Sequence, residues 1–155
     1  MLLLMFRTGE SLYAIDAKRV VEVVPRVDLR PIPHAPESLV GLLSYRGRVV
    51  PVIDFGVLVG ARESRAVLST RVILTEFTTH DRQTELVGVV AENVSHVVNA
   101  EPRQVVSPAM SLDEAPYLGA VIQLDEGLVQ LVAADKLLSE RMQDALFGHR
   151  AEAGG

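Results

Sequence analysis

Four histidines, His34, His80, His96 and His149, are the side chains of this 155-residue chain best suited to acid–base or metal chemistry, and they lie in separate segments. None falls into a His-x-x-x-His or His-Glu-x-x-His arrangement, the spacings that set two imidazoles on one helix face. Cysteine is absent, so thiolate nucleophiles, thiolate metal sites and disulfides are excluded. Asp113-Glu114 and Asp125-Glu126 are adjacent acid pairs, but both lie in loops, where solvated turn acids are the simpler reading. Gly41 to Gly47 encloses five residues where a phosphate-binding loop has four, and Arg48 stands where that loop needs lysine. One catalytic grouping remains, His96 with Glu92 and a nearby acid, as a small hydrolase or ligand-binding β-barrel would use. A binding surface is the stronger expectation, and Arg46 is its first candidate.

Arg46 sits in Gly41-Leu-Leu-Ser-Tyr-Arg-Gly-Arg-Val-Val-Pro-Val-Ile-Asp54. Apolar residues flank the polar tip Ser44 to Arg48, the pattern of a β-hairpin in which Gly47 supplies a positive φ. A guanidinium on such a short, stiff tip is more easily presented to a partner than hidden. It is also placed to hold the hairpin by bonding backbone carbonyls, and both roles remain open.

Further hairpins are expected over Leu2–Phe6 with Ser11–Ile15, Arg71–Phe77 with Glu85–Val90, and Leu118–Leu124 with Leu128–Ala133. Ala17, Val20, Val21 and Val24 share one helical face, yet the β-branched run Val20 to Val24 fits a strand equally well. Pro31, Pro33 and Pro36 dictate an extended connector. Asp54 is placed to cap a short helix, Phe55–Val59, and Asp135 to cap a longer one, Lys136–Phe147, with Leu138, Met142, Ala145 and Leu146 on one face.

The polar stretch Ala61–Thr70 suits a junction between lobes, and Ala109–Pro116 a polar loop. The two halves repeat an order of hairpin, Val-rich stretch, Pro-marked piece, hairpin and capping aspartate. Gly47 and Gly127 correspond, as do Asp54 and Asp135, at a period of about 80 residues that is far above solenoid repeats. Two small barrels within one domain over residues 1–148 are therefore expected, with lobes of roughly 1–66 and 67–148 that are free to exchange strands. Residues 149–155 are expected to be a disordered tail.

Composition narrows the partners. A 48% apolar chain of this length buries about 70% of its unfolded surface without staples. Net charge −5, pI near 5.3 and the lack of tryptophan argue against a nucleic-acid binder. Met1–Phe6 lacks a basic leader and reads as a first strand. No apolar run approaches the roughly 20 residues of a membrane span, so a soluble, intracellular protein is expected.

The Gly41–Asp54 segment resembles the hallmark of the CheW family, the coupling proteins of bacterial chemosensory arrays. Tyr13-Ala-Ile-Asp16, Val20-Val-Glu22-Val23, Val87-Gly88-Val-Val90, Val94-Ser-His-Val97, Tyr117-Leu118 and Asp135-Lys-Leu-Leu138 follow in family-like order, from Leu2 to Leu138. The resemblance implies a mostly β fold: two SH3-like five-stranded barrels sharing a hydrophobic core, with short helices and a C-terminal helix. It implies no catalysis, no cofactor and no metal. Its implied partners are the regulatory domain of a CheA-type histidine kinase, the cytoplasmic tip of a methyl-accepting receptor and other CheW-like domains. Val20, Glu22 and Gly41 match kinase-contact positions, and Arg46, Gly88 and Val97 match receptor-contact positions. Ser44-Tyr45 replaces the more usual Asn-Leu before Arg-Gly, and Gly119-Ala120 stands where a glycine one place later is usual. The resemblance therefore leaves open whether the output is flagellar motility, twitching or second-messenger synthesis.

Overall fold

A computed structural model describes residues 1–107 and 113–148; the expected tail lies wholly, and the expected loop 109–116 partly, outside them. The strands, in chain order, are β1 (Leu2–Thr8), β2 (Ser11–Asp16), β3 (Val20–Pro25), β4 (Leu39–Tyr45), β5 (Arg48–Asp54), β6 (Arg71–Thr78), β7 (Thr84–Ala91), β8 (Val97–Asn99), β9 (Val105–Ser107), β10 (Leu118–Leu124) and β11 (Gly127–Val132). Two short α-helices join them, α1 (Phe55–Leu58) and α2 (Glu140–Gln143).

The strands form two sheets. The first has six strands in the order β8-β1-β2-β11-β10-β9, and the second has five in the order β3-β6-β7-β5-β4. Both are open ladders among the described residues, so the first departs in strand number from the expected five-stranded barrel and neither closes by backbone pairing. The second sheet is drawn from one continuous stretch, residues 20–91, while the first unites the two ends of the chain.

Pairing follows the internal repeat. Hairpin β1–β2 takes β11 in parallel beside β2 and β8 antiparallel beside β1. Hairpin β6–β7 takes β5 in parallel beside β7 and β3 antiparallel beside β6. Each hairpin thus hands the strand that follows it to the other sheet. The crossings fall at residues 17–19 and 92–96, whereas residues 61–70 link β5 to β6 within the second sheet.

Alternation along the strands builds three cores. In β1, Leu4 and Phe6 enter a core shared by both sheets, while Leu3 and Met5 enter the core of the first sheet. In β7, Val87, Val89 and Ala91 face the shared core, and Leu86 and Val90 face that of the second sheet. Strands buried on both faces read as unbroken apolar runs, which is why Leu2–Phe6 and Leu86–Val90 show so little alternation in sequence. Phe55 anchors the shared core, with ring centroids 5.0 Å from Phe6, 4.7 Å from Tyr13 and 6.3 Å from Tyr117.

One open helix-or-strand reading is resolved and one helix expectation is corrected. Ala17–Arg19 is a single 3-10 turn and Val20–Pro25 is strand, in keeping with its β-branched residues. The long helix over Lys136–Phe147 does not form. Asp135 lies inside a 3-10 turn, accepts the Thr78 N–H at 2.7 Å and pairs with Arg19, so its carboxylate ties three segments together instead of capping. Leu137 and Leu138 are drawn into the shared core, and the helix begins only at Glu140, capped by Ser139. A π-turn over Asp144–Gly148 then rotates the face so that Leu146 and Phe147 turn inward and Ala145 is exposed. Asp54 does cap α1, and its buried carboxylate also accepts from the backbone and hydroxyl of Ser64.

Candidate functional site: the seam of the second sheet

Arg46 and Gly47 have φ of 47° and 78°, the two left-handed residues of a tight hairpin turn that matches the right-handed twist of β4 and β5. Gly47 adopts this without a Cβ penalty; Arg46 bears the modest cost of a non-glycine there. Its side chain is 76% exposed, lies over the Tyr45 ring at 5.3 Å and pairs with Glu22 at 3.1 Å. Tyr45 O–H donates to the same carboxylate oxygen at 2.5 Å. That hydrogen bond, more than burial, holds the Tyr45 phenol above its ordinary pKa.

Glu22 belongs to β3 and Tyr45 to β4, the two edge strands of the second sheet. Their meeting requires the sheet to curl until its edges approach, so a carboxylate, a phenol and a guanidinium fasten the open seam of an incomplete barrel. An isolated bridge between Arg30 and Leu42 adds backbone contact to the β4 edge.

The other expected site residues have varied surroundings. Val20 packs partly buried against the shared core at the start of β3. Beyond it, Val21 and Val23 are exposed on the edge strand. Gly41 is buried where a Cβ would lie 2.8 Å from the Arg30 carbonyl oxygen and 2.8 Å from Leu29 Cβ. Gly88 is buried in β7, where a Cβ would meet Val52 and Val72 methyls at 3.0 Å. Val97 is 52% exposed on the first sheet, opposite Leu4. Glu22 and Arg46, expected to serve different partners, are therefore one ion pair, whereas Gly41 and Gly88 lie inside the packing. Tyr45 stood out in sequence only as a departure from the family pattern, and Val21 and Val23 were not assigned to a site; alternation marks one face of β3 as outward, but nothing local marks Tyr45 as Glu22's partner.

Beside the hairpin runs a groove of about 390 Å3 whose apolar walls include Leu42, Val49, Pro51, Leu86, Leu146 and Phe147. The hydrolase grouping is not assembled. Glu92 is buried under Arg62, with oxygens 2.8 and 3.2 Å from its guanidinium nitrogens, and accepts the Arg65 N–H at 2.8 Å. The Arg62 bonds hold its carboxyl below the usual range. His96, exposed, meets Ser95 and Glu126 instead, at 2.8 and 2.9 Å. No helix among the described residues is long and apolar enough to cross a membrane.

Two open β-sheets with exchanged strands, a shared core and a polar seam define a small β module. The chain belongs to the CheW family: the model of the CheW-like domain matches residues 2–142. It is 30% identical over 138 residues to the chemotaxis protein CheW of Klebsiella aerogenes, covering 88% of this chain and 80% of that one. It is 23% identical to the chemotaxis protein CheW of Rhizobium meliloti, covering 92% and 90%, and 26% identical to protein FrzA of Myxococcus xanthus, covering 91% and 87%. Its fold is similar to that of the scaffolding protein TtCheW from Thermoanaerobacter tengcongensis, with TM-score 0.75, 24% identity and coverage of 89% and 87%. The family is one of chemotaxis adaptors and scaffolds rather than enzymes.

Proposed function

We propose that this chain is the non-catalytic adaptor that couples methyl-accepting receptors to a CheA-type histidine kinase, in the cytoplasm at membrane-associated receptor arrays. Val20, Glu22 and Gly41 belong to the kinase-facing side, and Arg46, Gly88 and Val97 to the receptor-facing side. The single observation that carries this reading is the Glu22–Arg46 ion pair on the exposed seam, within a chain of this family. It makes the two partner surfaces neighbours, so one rigid module can hold both partners in fixed relation.

Chemistry favours the same division. The groove beside the hairpin, with apolar walls and the Arg48 and Glu85 charges on its lining, suits an amphipathic receptor helix, and Arg46 at the tip can add charge-assisted hydrogen bonds to its carboxylates. Exposed Val21 and Val23 offer an apolar face of β3 to another β domain, which the resemblance gives the kinase's regulatory part. Gly41 and Gly88 act by allowing close packing beneath these surfaces.

The test is calorimetry and size exclusion with the regulatory domain of the partner kinase and with a receptor hairpin, each at roughly tens of micromolar, where a specific interface registers. Complexes with both, the receptor complex weakened by Arg46→Glu, support the assignment. Absence of both complexes overturns it.

A further inference from the structure

The C-terminal segment is tied to β6 and the β6–β7 turn by contacts that include a backbone hydrogen bond, a ring pair and the imidazole of His80. The His80 backbone N–H donates to Gln143 Oε1 at 2.9 Å, and Gln143 Nε2 donates to the Leu138 carbonyl at 3.0 Å. Phe77 meets Phe147 with ring centroids 5.7 Å apart. Neither contact changes with pH. The third joins His80 Nε2 to Asp144 Oδ1 at 2.7 Å.

The imidazole, 29% exposed, is ringed by carboxylates from each element packed on it. Asp81 of the turn lies 3.5 Å from Nδ1, Glu140 of α2 lies 3.8 Å from the same nitrogen, and Asp144 of the π-turn faces Nε2. Arg82 and Arg141 belong to these elements, but among the described residues the charges that act on the ring are those of Asp81, Asp144 and Glu140. A neutral imidazole has one N–H, and its other nitrogen would turn a lone pair towards a carboxylate. Only the imidazolium presents a donor to acids on both sides.

What the contact holds in place is a wall. Leu146 and Phe147, the residues that follow Asp144 and Ala145, close the groove opposite Leu42, Val49 and Pro51 of the Arg46 hairpin. We propose that His80 is a pH-sensitive latch: as imidazolium it clamps Glu140–Gly148 to the β6–β7 turn and fixes this wall, and as neutral imidazole it lets the wall loosen. The inference concerns the groove itself and holds whichever partner occupies it.

The sign follows from linkage. The hydrogen bond to Asp144, foremost, and the Asp81, Asp144 and Glu140 charges raise the imidazole above its ordinary pKa. A raised folded-state value means that the stabilisation is complete below the unfolded value, about 6.5, and is lost as pH rises through the folded one. The latch closes on the acid side and opens on the alkaline side.

Hydrogen exchange on the full chain between about pH 6 and 9, corrected for intrinsic rates and run with EDTA so that no divalent cation replaces the proton, tests this. Protection over residues 140–148 is expected to fall about two- to fivefold through the His80 titration, the range an exposed ion pair supplies, while β7 stays constant. In His80→Gln the step disappears. In Asp144→Asn the imidazole, followed by NMR, titrates at lower pH, and the step moves with it. A step that persists in His80→Gln, or flat protection in the unaltered chain whose imidazole titrates in this window, overturns the latch.

Discussion

Glu22 and Tyr45 stand on opposite edge strands of the second sheet, and a 2.5 Å hydrogen bond joins them across the open seam. Arg46 adds a second contact to the same carboxylate oxygen. Replacing Glu22 with Gln keeps the shape and removes the charge that favours the protonated phenol. Tyr45 is then expected to titrate nearer its ordinary value, while Tyr13 and Tyr117, raised chiefly by burial, stay where they are. Ultraviolet titration, with Tyr45→Phe identifying the step, checks this; an unmoved Tyr45 would detach the phenol from Glu22.

Arg46→Glu sets two carboxylates together at an exposed seam. Because exposed ion pairs contribute little, the loss of stability is expected to be within about 1 kcal/mol. Receptor binding is expected to fall at least tenfold. Melting curves and titration calorimetry separate the two effects, and a large stability loss with retained binding would assign Arg46 to the fold.

Gly41→Ala and Gly88→Ala insert a methyl where no room exists. At Gly41 the obstacle is the Arg30 backbone, which cannot rotate away, and at Gly88 it is valine methyls that can shift by a few tenths of an ångström. Overpacking costs about 1–3 kcal/mol, with Gly41 expected at the upper end or beyond and Gly88 at the lower. Denaturant unfolding ranks them. Partner binding that falls only in step with folded protein places both glycines beneath the interface and not in it.

Glu92→Gln leaves Arg62 and the Arg65 backbone with a weaker acceptor and loosens the tie between residues 62–65 and the end of β7, while Ser64 stays bound to Asp54. A loss of about 2 kcal/mol at neutral pH is expected, as for hydrogen bonds to a charged group. The Glu92 carboxyl is depressed in the folded chain, so its contribution is full above the unfolded pKa and disappears as pH falls through the folded one. Acid unfolding of the variant should accordingly be shallower than that of the unaltered chain.

Much of the architecture was readable because strands and turns are local. Tyr45-Arg46-Gly47-Arg48 marks its hairpin through the left-handed turn, and Pro31, Pro33 and Pro36 exclude helix from the connector. Exchange of strands between the lobes was left open by the sequence, but that β3 and β8 are the strands exchanged was not readable. Alternation tells which face of a strand is buried, yet Val23 finds Ile73 some 50 residues away through sheet assembly alone. The C-terminal helix was misplaced for a related reason: an aspartate before an apolar run fits a cap, and only the fold brings Thr78 and Arg19 to Asp135. Within the site, the residues were visible singly, but the Glu22–Arg46 pairing required knowing that two sheet edges meet.

The exchange of strands also orders assembly in time. Residues 20–91 hold every strand of the second sheet, so that sheet has its whole complement once β7 has left the ribosome. Hairpin β1–β2, made before β8 to β11, must wait for them before its sheet is complete, and closing that long loop carries an entropy cost that local hairpins do not. The earliest-made strands are thus among the last to be fully paired, and Leu3 and Met5, bound for the core of that sheet, are the apolar surface a nascent chain must keep from other partners.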